Sequence, residues 1–478
     1  MKLFETTANA DGGVSITKYI GESTAAVEIP SQIDGKPVTA IGQSAFAYTK
    51  LKSVVIPDGV TEIEREAFAH NALKRVIIPN SVTEIGEWAF TYNKLTSVVI
   101  PVGVTSIRDE AFSYNKLTSV VIPDSVTSIK DEAFAHNKLK SVVIPDSVTE
   151  IRSGAFAFNQ LTSVLISNSV TFIEPRTFAG NKLMSVIIPD RVTFIGYRAF
   201  AGNELTSVLV PDSVTEIGEW AFCDNKLTSV VIGKGILSIG KEAFSYNELT
   251  SVLIPDRVAS IGEKAFFNNH LTSVLIGKGV ISIGNEAFAN ENELSVYNQL
   301  TSVLIPDGVT EIGSGAFAYN KLTSVVIPDS VTAIEYRAFA YNRLESVVIP
   351  DSVTYIAHEA FAHNELTSVV IPNGATSIES EAFSYNKLAS VVIPDSITEI
   401  GSGAFAYNQL ENVLIPNSVT SIGYDAFAFN NLTSVLIGAD LNLDENALGE
   451  GFDRFYTDNG KQAGTYIFHN AEWSFNAP

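Results

Sequence analysis

Between Leu95 and Lys116 the chain reads LTSVVIPVGVTSIRDEAFSYNK, and variants of this 22-residue unit fill most of the 478 residues. The phenylalanine of the unit recurs every 22 residues at positions 46, 68, 90, 112, 134, 156, 178, 200, 222, 244, 266 and 288, and again at 317, 339, 361, 383, 405 and 427. A single unit is too short to bury its own apolar side, so it must be stabilised by stacking on its neighbours. The eighteen copies therefore predict a solenoid.

Two short extended segments are expected in each unit. Leu95, Val98 and Ile100 are the inward positions of a β-strand rich in β-branched residues, and the proline that follows ends this strand. Val104 and Ile107 anchor a second extended piece. Strands of successive units should pair side by side, in register, as a parallel sheet.

The rest of the unit is predicted to turn. Glu-Ala-Phe-Ser-Tyr suits about one helical or 3₁₀ turn, with Ala111 and Phe112 facing the core. Asn115 closes this turn, and asparagine holds the same place in sixteen of the eighteen units, with Thr49 and Glu291 as the exceptions. Because an amide both donates and accepts, a buried asparagine column is expected to satisfy turn backbone groups on neighbouring coils.

The predicted architecture is α/β but mostly β: a right-handed coil with one long parallel β-sheet, short helical or 3₁₀ turns on the opposite side and a small β cap at each end. Residues 1–40 form the N-terminal β cap, 41–437 the eighteen-unit solenoid and 438–478 the C-terminal β cap. A seven-residue insertion near 291–297 resembles a partial copy of the repeat and is expected to bulge out as a loop. In the C-terminal cap, 455–461, 464–468 and 472–475 are predicted strands, with Asn459-Gly460 as a hairpin turn.

Composition narrows the functional classes. With 46% hydrophobic and 18% charged residues the chain can bury a large core, and its net charge of −22 argues against nucleic acid and anionic membranes as partners. Cys223 is the only cysteine, so a disulfide framework within the chain and a multi-cysteine metal site are excluded. No run approaches the ~18 apolar residues of a membrane span. No signal peptide is visible, so the sequence is either cytosolic or a trimmed, exported form.

Motifs for chemistry are weak. His358-Glu359-Ala-Phe-Ala-His363 has a spacing of five, whereas a zinc-binding helix needs two histidines four residues apart. His70, His136 and His363 share one repeat position but never on consecutive coils, so they are interpreted as surface substitutes for tyrosine. Cys223 is interpreted as a half-buried, inert thiol.

Two further patterns are assigned to turns. Stacked aspartates follow the proline and could in principle hold calcium between coils, but they also suit the turn, which is the favoured interpretation; they are Asp58, Asp124, Asp146, Asp190, Asp212, Asp256, Asp307, Asp329, Asp351 and Asp395. Gly233-Lys-Gly235 replaces Pro-Asp-Ser at the same turn and is not a phosphate loop. No catalytic residue, cofactor or metal is therefore predicted.

Two surface columns are candidate partner surfaces. By strand alternation one aliphatic residue per unit points outward beside a serine, either as a binding or self-association stripe or simply as β-propensity. An aromatic column follows two residues after the phenylalanine and either contacts a partner or, as favoured, packs edge-on against the coil below. The candidate residues are Ser97, Val99, Ser119, Val121, Ser163, Leu165, Ser207, Leu209, Ser251, Leu253, Tyr114, Tyr246 and Tyr341.

The unit Leu-x-x-Val-x-Ile-Pro-x-x-Val-x-x-Ile-x-x-x-Ala-Phe-x-x-Asn closely resembles the BspA-like leucine-rich repeats of bacterial cell-surface proteins over about residues 41–437. The lead-in from Ile33 to Gly42 is also similar to that family, although asparagine stands here where the family often has cysteine. The resemblance implies a leucine-rich-repeat solenoid at the cell surface or secreted, with partners such as matrix proteins or other cells.

The leading functional hypothesis is a non-enzymatic adhesion module that binds protein or glycan on a host or neighbouring cell. The rival is a structural protein that self-assembles into dimers or filaments through the aliphatic stripe. An ice- or crystal-binding surface made of the Thr-Ser rows is a remoter alternative. An enzyme would need a site in the C-terminal cap, where Tyr466, His469 and Trp473 lie close in sequence.

Overall fold

The fold was analysed in a computed structural model that describes residues 3–22, 26–292, 294, 297–470 and 472–476. The chain divides into two compact units, 1–235 and 236–478, each with nine of the eighteen repeat phenylalanines. The predicted division at residues 40 and 437 does not coincide with this boundary and stays a prediction.

The first unit contains only short strands among its described residues. Their bounds are β1 Phe4–Ala8, β2 Val14–Tyr19, β3 Ala26–Glu28, β4 Gln32–Ile33, β5 Lys36–Ile41, β6 Ser53–Val55, β7 Glu62–Ile63, β8 Arg75–Ile77, β9 Glu84–Ile85, β10 Ser106–Ile107, β11 Ser128–Ile129, β12 Ser141–Val143, β13 Glu150–Ile151, β14 Ser163–Leu165, β15 Phe172–Ile173, β16 Phe194–Ile195, β17 Ser207–Leu209, β18 Glu216–Ile217 and β19 Ser229–Val231.

The second unit repeats this pattern and adds one helix near its end. Its elements are β20 Ser238–Ile239, β21 Ser251–Leu253, β22 Ser260–Ile261, β23 Ser273–Leu275, β24 Ser282–Ile283, β25 Ser302–Leu304, β26 Glu311–Ile312, β27 Ser324–Val326, β28 Ala333–Ile334, β29 Ser346–Val348, β30 Tyr355–Ile356, β31 Ser377–Ile378, β32 Glu399–Ile400, β33 Asn412–Leu414, β34 Ser421–Ile422, β35 Ser434–Ile437, β36 Asn442–Leu443, α1 Phe452–Asp458, β37 Gly464–His469 and β38 Glu472–Asn476.

Successive coils pair in parallel and in register, which confirms the predicted solenoid. Ser141 pairs with Ser163 in one ladder and Ile129 with Ile151 in another, each 22 residues apart. The predicted single long sheet is instead divided into several short parallel sheets, formed by two ladders on each coil. The reason is that the two extended pieces are only two or three residues long, and the Pro-Asp turn separates them.

The opposite side of the coil consists of tight turns, where one helical or 3₁₀ turn was expected. Ala111 N–H donates to the Arg108 carbonyl, and Ser113 N–H donates to that of Glu110. Glu110 and Tyr114 have φ of 49° and 51°, in the left-handed region, so the chain cannot continue as a right-handed helix. Phe112 N–H instead donates to the Ala133 carbonyl on the next coil.

The core of each unit is a continuous stack of the repeat phenylalanines. Neighbouring rings lie nearly parallel, with centroids 5.5 Å apart for the pair Phe90–Phe112 and 5.6 Å for Phe339–Phe361. All these rings are fully buried. Burial of so much apolar surface between coils supplies the stacking energy that a lone unit lacks.

The asparagine column bridges coils as predicted. Asn115 Nδ2 donates to the carbonyls of Phe112 and Ser113 on its own coil, at 3.2 and 3.1 Å, and to that of Phe90 on the preceding coil, at 2.9 Å. Its Oδ1 accepts from Leu95 N–H at 2.9 Å. One buried amide thus satisfies four backbone groups on two coils, which confirms its structural role.

The insertion leaves this column intact. Glu291 stands where the asparagine is expected, but Asn298 takes over the contacts: its Nδ2 donates to the carbonyls of Phe266 and Phe288, and its Oδ1 accepts from Leu271 N–H. Asn290 Nδ2 donates to the Asn298 carbonyl and its Oδ1 accepts from Asn298 N–H, both at 2.7 Å. The loop therefore leaves and re-enters the coil at one side-chain clamp, as the predicted bulge requires; its residues 293, 295 and 296 lie outside the described part of the chain.

Each terminus covers the end of its own unit. Strand β1 pairs with β2 in antiparallel fashion, and β2 pairs in parallel with β5, the first strand of its ladder. The Tyr19 ring stacks on Phe46, which caps the phenylalanine stack. At the other terminus, β35 pairs antiparallel with β37, and β37 with β38.

One predicted strand of the C-terminal cap is wrong. Residues 455–461 were expected to be a strand ending in an Asn-Gly hairpin, but Phe452–Asp458 is the helix α1 and Asn459 is its C-cap. Phe452 and Tyr456 are buried four residues apart on one helix face, so the spacing of the aromatic residues fits a helix. Gly460, with φ of 73°, ends that helix in the left-handed conformation typical of this position.

Candidate interaction surface

The aliphatic column is exposed in both units, as strand alternation predicts. Val99 and Val121 are 74% and 75% exposed, and even Leu436, the most covered member, is 43% exposed. The nine members in the first unit are Val55, Ile77, Val99, Val121, Val143, Leu165, Ile187, Leu209 and Val231; those in the second are Leu253, Leu275, Leu304, Val326, Val348, Val370, Val392, Leu414 and Leu436. Exposed apolar side chains on every coil form an apolar stripe that single scattered residues do not.

The candidate serines flank this stripe. Ser97, Ser119, Ser163, Ser207 and Ser251 are all exposed, two residues before their aliphatic neighbours. Pairing in register stacks Ser207 against Ser229, and Ser251 against Ser273, so the hydroxyl row follows the same direction as the stripe. The structure thus brings the predicted serine and aliphatic residues of each unit onto one face; their role in binding stays a prediction.

The aromatic column stacks face to face instead of packing edge-on. In the first unit, six consecutive rings form one ladder: Tyr48, His70, Tyr92, Tyr114, His136 and Phe158, with centroids 4.2–4.6 Å apart. A second ladder in the other unit contains Tyr319, Tyr341, His363, Tyr385, Tyr407 and Phe429, at 4.2–4.5 Å. The favoured edge-on packing is therefore wrong, and the histidines do substitute for tyrosine within the stacks.

The left-handed turn explains this arrangement. Tyr92 and Tyr114 have φ of 52° and 51°, and that conformation turns their side chains away from the phenylalanine core, one above the other at the coil spacing. The ring faces are covered by their neighbours while the edges meet solvent; Tyr92 is 45% exposed. Burial, together with the neighbouring Tyr92, raises the pKa of Tyr114, so its hydroxyl stays neutral at physiological pH.

The third candidate tyrosine stands outside both ladders. Tyr246 is 44% exposed, and its ring meets Phe267 on the next coil edge-to-face, with centroids 5.8 Å apart. Tyr114 and Tyr341 are half-buried members of the two ladders. The three tyrosines are thus not equivalent, although they share a repeat position.

The histidines of the apparent zinc motif belong to different columns. His363 is stacked between Tyr341 and Tyr385, whereas His358 stacks on Tyr336. Ligand atoms of His358, Glu359 and Glu381 do lie within 4.8 Å of one another. However, the buried Glu359 carboxylate already accepts from Arg337 Nη2 at 2.9 Å and from Arg337 Nε.

This cluster is satisfied as an ion pair. The hydrogen bond from Arg337 to Glu359 raises the pKa of the guanidinium further above its usual range, so the cation is permanent. His358 Nε2 lies 3.0 Å from Glu359 Oε1, and Nδ1 lies 2.7 Å from the Ser380 carbonyl. A metal ion would have to displace the guanidinium from Glu359, so the donor set does not favour a metal site.

The other residues considered for chemistry have structural surroundings. Tyr466 is buried and its hydroxyl donates to the Gln462 carbonyl, whereas His469 is exposed at the end of β37. Trp473 packs edge-to-face on Phe452. Cys223 is buried, more deeply than expected.

The aspartates after the proline act in their turns. Asp146 Oδ1 accepts from Asn168 N–H at 2.9 Å, and Asp256 Oδ1 accepts from Lys278 N–H at 3.0 Å. Each carboxylate therefore caps the corresponding turn of the next coil. The contacts support the turn interpretation.

These observations define a repeat protein of the leucine-rich solenoid class. A family model described as "BspA type Leucine rich repeat region (6 copies)" matches residues 39–162, 105–228, 171–295, 221–344 and 332–449. The chain belongs to the family of BspA-type leucine-rich-repeat proteins. Nothing among curated proteins matches it.

Solved structures with a similar fold are bacterial proteins. A leucine-rich repeat protein from Bacteroides ovatus is 18% identical, with 87% of this chain and 94% of that chain covered and a TM-score of 0.48. A leucine-rich cell surface protein from Faecalibacterium prausnitzii is 23% identical, with 93% of each chain covered and a TM-score of 0.30. The pneumococcal vaccine antigen PcpA is 17% identical, covering 84% and 94%, with a TM-score of 0.41.

Within the described residues, no helix has the length and apolar character to cross a membrane.

Proposed function

We propose that this chain is a non-enzymatic binding protein of the bacterial cell surface or surroundings, which presents the face with the aliphatic stripe to protein or glycan on another cell. The observation that carries the proposal is the stripe itself: an exposed aliphatic side chain on each of eighteen coils, beside a hydroxyl row. Such apolar surface is costly to leave in water and is typical of contact sites. Family membership and the description of one structural neighbour as a cell surface protein support the location.

The experiment is a binding measurement with matched variants. The full chain is tested for saturable binding to immobilised matrix proteins, to a glycan array and to whole cells, beside a triple variant Val99→Asp, Val121→Asp and Val143→Asp. The control variant Asp109→Asn, Asp131→Asn and Ser153→Ala changes side chains elsewhere on the same stretch of coils. Binding lost only in the first variant supports the proposal, and absence of saturable binding by the unaltered chain to every target contradicts it.

A second candidate is self-assembly through the same stripe, because an uncovered apolar row also fits a second copy of the chain. Light scattering across a concentration series separates the two functions. Association that the triple aspartate variant abolishes favours assembly, and a monomer at the highest concentration excludes it.

A further inference from the structure

Basic residues in the first unit are concentrated on the face that carries the ring ladder and the aliphatic stripe. From the residue after each phenylalanine to the end of the following strand, the first seven coils contain nine basic residues and no acidic ones. We call this set the basic strip: Lys50, Lys52, Lys74, Arg75, Lys94, Lys116, Lys138, Lys140 and Lys182. The intervening stretches, from residue 57 to residue 177, contain fourteen acidic and five basic residues. A chain with a net charge of −22 therefore has one purely cationic surface.

The nine cations are exposed and un-neutralised. All nine side chains are exposed, and no ion pair within the described residues includes any of them. Elsewhere in the same unit, Arg108 pairs with Glu84, and Lys130 and Arg152 both pair with Glu150. Like charges on neighbouring strands repel each other, so the strip is a local cost to stability that an anionic partner would offset.

The second unit does not reproduce this surface. Its corresponding stretches contain three basic and six acidic residues. Lys387 there pairs with Glu365 at 2.7 Å, and Lys321 donates to Gln299 at 2.7 Å. The strip is therefore a property of the first unit and not of the repeat itself.

The strip has the geometry of a linear track. Lys94, Lys116 and Lys138 occupy the same position on three consecutive coils, and six of the seven coils contribute at least one cation. At about 4.8 Å per coil, the track from Lys50 to Lys182 is roughly 30 Å long. Exposed Thr96, Thr118 and Ser119 supply hydroxyls between the cations.

We infer that the basic strip binds a linear acidic glycan, a polysaccharide with carboxylate or sulfate groups, laid along the coils of the first unit. This inference rests on the proposed binding function and names a ligand class for part of that surface. Cations meet the acidic groups, while the threonine and serine hydroxyls donate to and accept from sugar hydroxyls. Eight of the nine cations are lysines, point charges that do not require the planar, bidentate partner that arginine prefers.

The ring ladder argues against single-stranded nucleic acid as the occupant. Such ligands stack their bases on exposed aromatic faces, but here each internal ring, such as Tyr92 or Tyr114, already has neighbours on both faces. Only ring edges and hydroxyls are offered to a ligand. The acidic residues on the rest of each coil also repel the closely spaced phosphates of a duplex.

The test uses the full chain and defined probes at 50 mM NaCl. Heparin fragments represent sulfated glycans and polygalacturonate represents carboxylated ones, with dextran, poly-glutamate and a single-stranded oligonucleotide for comparison. The variant Lys94→Gln, Lys116→Gln, Lys138→Gln is compared with Arg108→Gln, Lys130→Gln, Arg152→Gln, which removes the same charge from the opposite side of the coils. Circular dichroism and melting curves verify that both variants fold.

We expect at least one acidic glycan to bind more tightly than poly-glutamate or the oligonucleotide, with affinity falling as salt rises. The strip variant should bind it about tenfold or more weakly, while the control variant keeps its affinity. Equal losses in both variants, tightest binding of poly-glutamate or the oligonucleotide, or no binding of either acidic glycan each overturns the inference. Saturable binding to matrix proteins or cells that survives in the strip variant would leave the proposed function standing.

Discussion

At the scale of single residues, asparagine is the most informative side chain of the repeat. Phenylalanine fills the core, but Asn115 joins two coils through four hydrogen bonds with backbone groups that no water can reach. Substitution by alanine leaves those groups unsatisfied, and each buried polar group without a partner costs about 1–3 kcal/mol.

We predict that Asn115→Ala lowers the free energy of unfolding by about 2–4 kcal/mol, measured by urea denaturation followed by circular dichroism. Asn431→Ala is the matched control, because Asn431 is exposed and the described structure gives its side chain no hydrogen bond. A loss in the control as large as that in Asn115→Ala would contradict the assigned role.

Tyr456 gives a prediction about alkaline pH. Its buried hydroxyl donates to the Gly438 carbonyl at 2.7 Å, and burial raises its pKa above the usual value near 10. The folded state therefore favours the neutral phenol: its contribution is fully present below pH ~10 and is lost as pH rises through the raised pKa.

The variant Tyr456→Phe should be slightly less stable at pH 8, because it lacks the hydrogen bond, yet lose less stability between pH 9 and 11. Part of the alkaline loss should persist, since burial also raises the pKa of Tyr466. Melting temperatures across this range are the measurement, with exposed Tyr48→Phe as the control. An unchanged pH dependence in Tyr456→Phe would refute the argument.

At the scale of elements, the insertion shows what a coil requires. Asn290 and Asn298 hold the two ends of the loop together, and the next coil then pairs normally: Ser282 with Glu311 and Ile283 with Ile312. Deletion of residues 290–296 would leave Phe288-Ala289-Tyr297-Asn298, the regular repeat text.

We predict that this deletion variant folds with unchanged or slightly higher stability, and that Tyr297 then occupies the ring position next to Tyr319. The ladder of the second unit would gain a seventh ring. A denaturation midpoint below that of the unaltered chain would show that the loop itself stabilises the fold; deletion of residues 312–318, which removes a repeat phenylalanine, is the disruptive control.

The elements also show how far sequence reasoning reaches. Parallel stacking, the inward Leu95, Val98 and Ile100 and the asparagine column follow from periodicity and hydrogen-bond chemistry, and the structure confirms them. The face-to-face rings do not follow, because their direction depends on positive φ at residues such as Tyr114, which composition does not reveal.

The functional surface was only half visible from the sequence. The aliphatic stripe follows from strand alternation, but the basic strip was missed because the total charge of −22 concealed it. Charges counted by repeat position would have found it. The helix α1 was missed since Asn-Gly is also a hairpin signal, and the i, i+4 spacing of Phe452 and Tyr456 was the competing evidence.

At the scale of the whole molecule, stacking creates open strand edges that must be covered. In the second unit β37 covers β35 through Ser434–Ile467 to Ile437–Gly464, and β38 in turn covers β37. The outermost strand alternates exposed polar Glu472, Ser474 and Asn476 with half-buried aromatic residues. Exposed polar residues on an edge disfavour pairing with another chain.

Removal of residues 464–478 should therefore convert the chain into one that associates through the freed edge of β35 and exposes Tyr456. Light scattering at increasing concentration should show growing oligomers, where the full chain shows a stable mass. The substitution His469→Ala, at an exposed position, should have no such effect. A truncated chain that stays as well dispersed as the full one would mean that β37 and β38 do not protect this edge.

The clamp between Asn290 and Asn298 has a practical consequence for protein engineering. Since the chain departs and returns at adjacent points, a peptide grafted there need not match any length, and each doubling of loop length costs only about 0.6 kcal/mol in closure entropy. The position is thus a natural cassette, at which an epitope or tag can be displayed from the rod without breaking its internal lattice of amides.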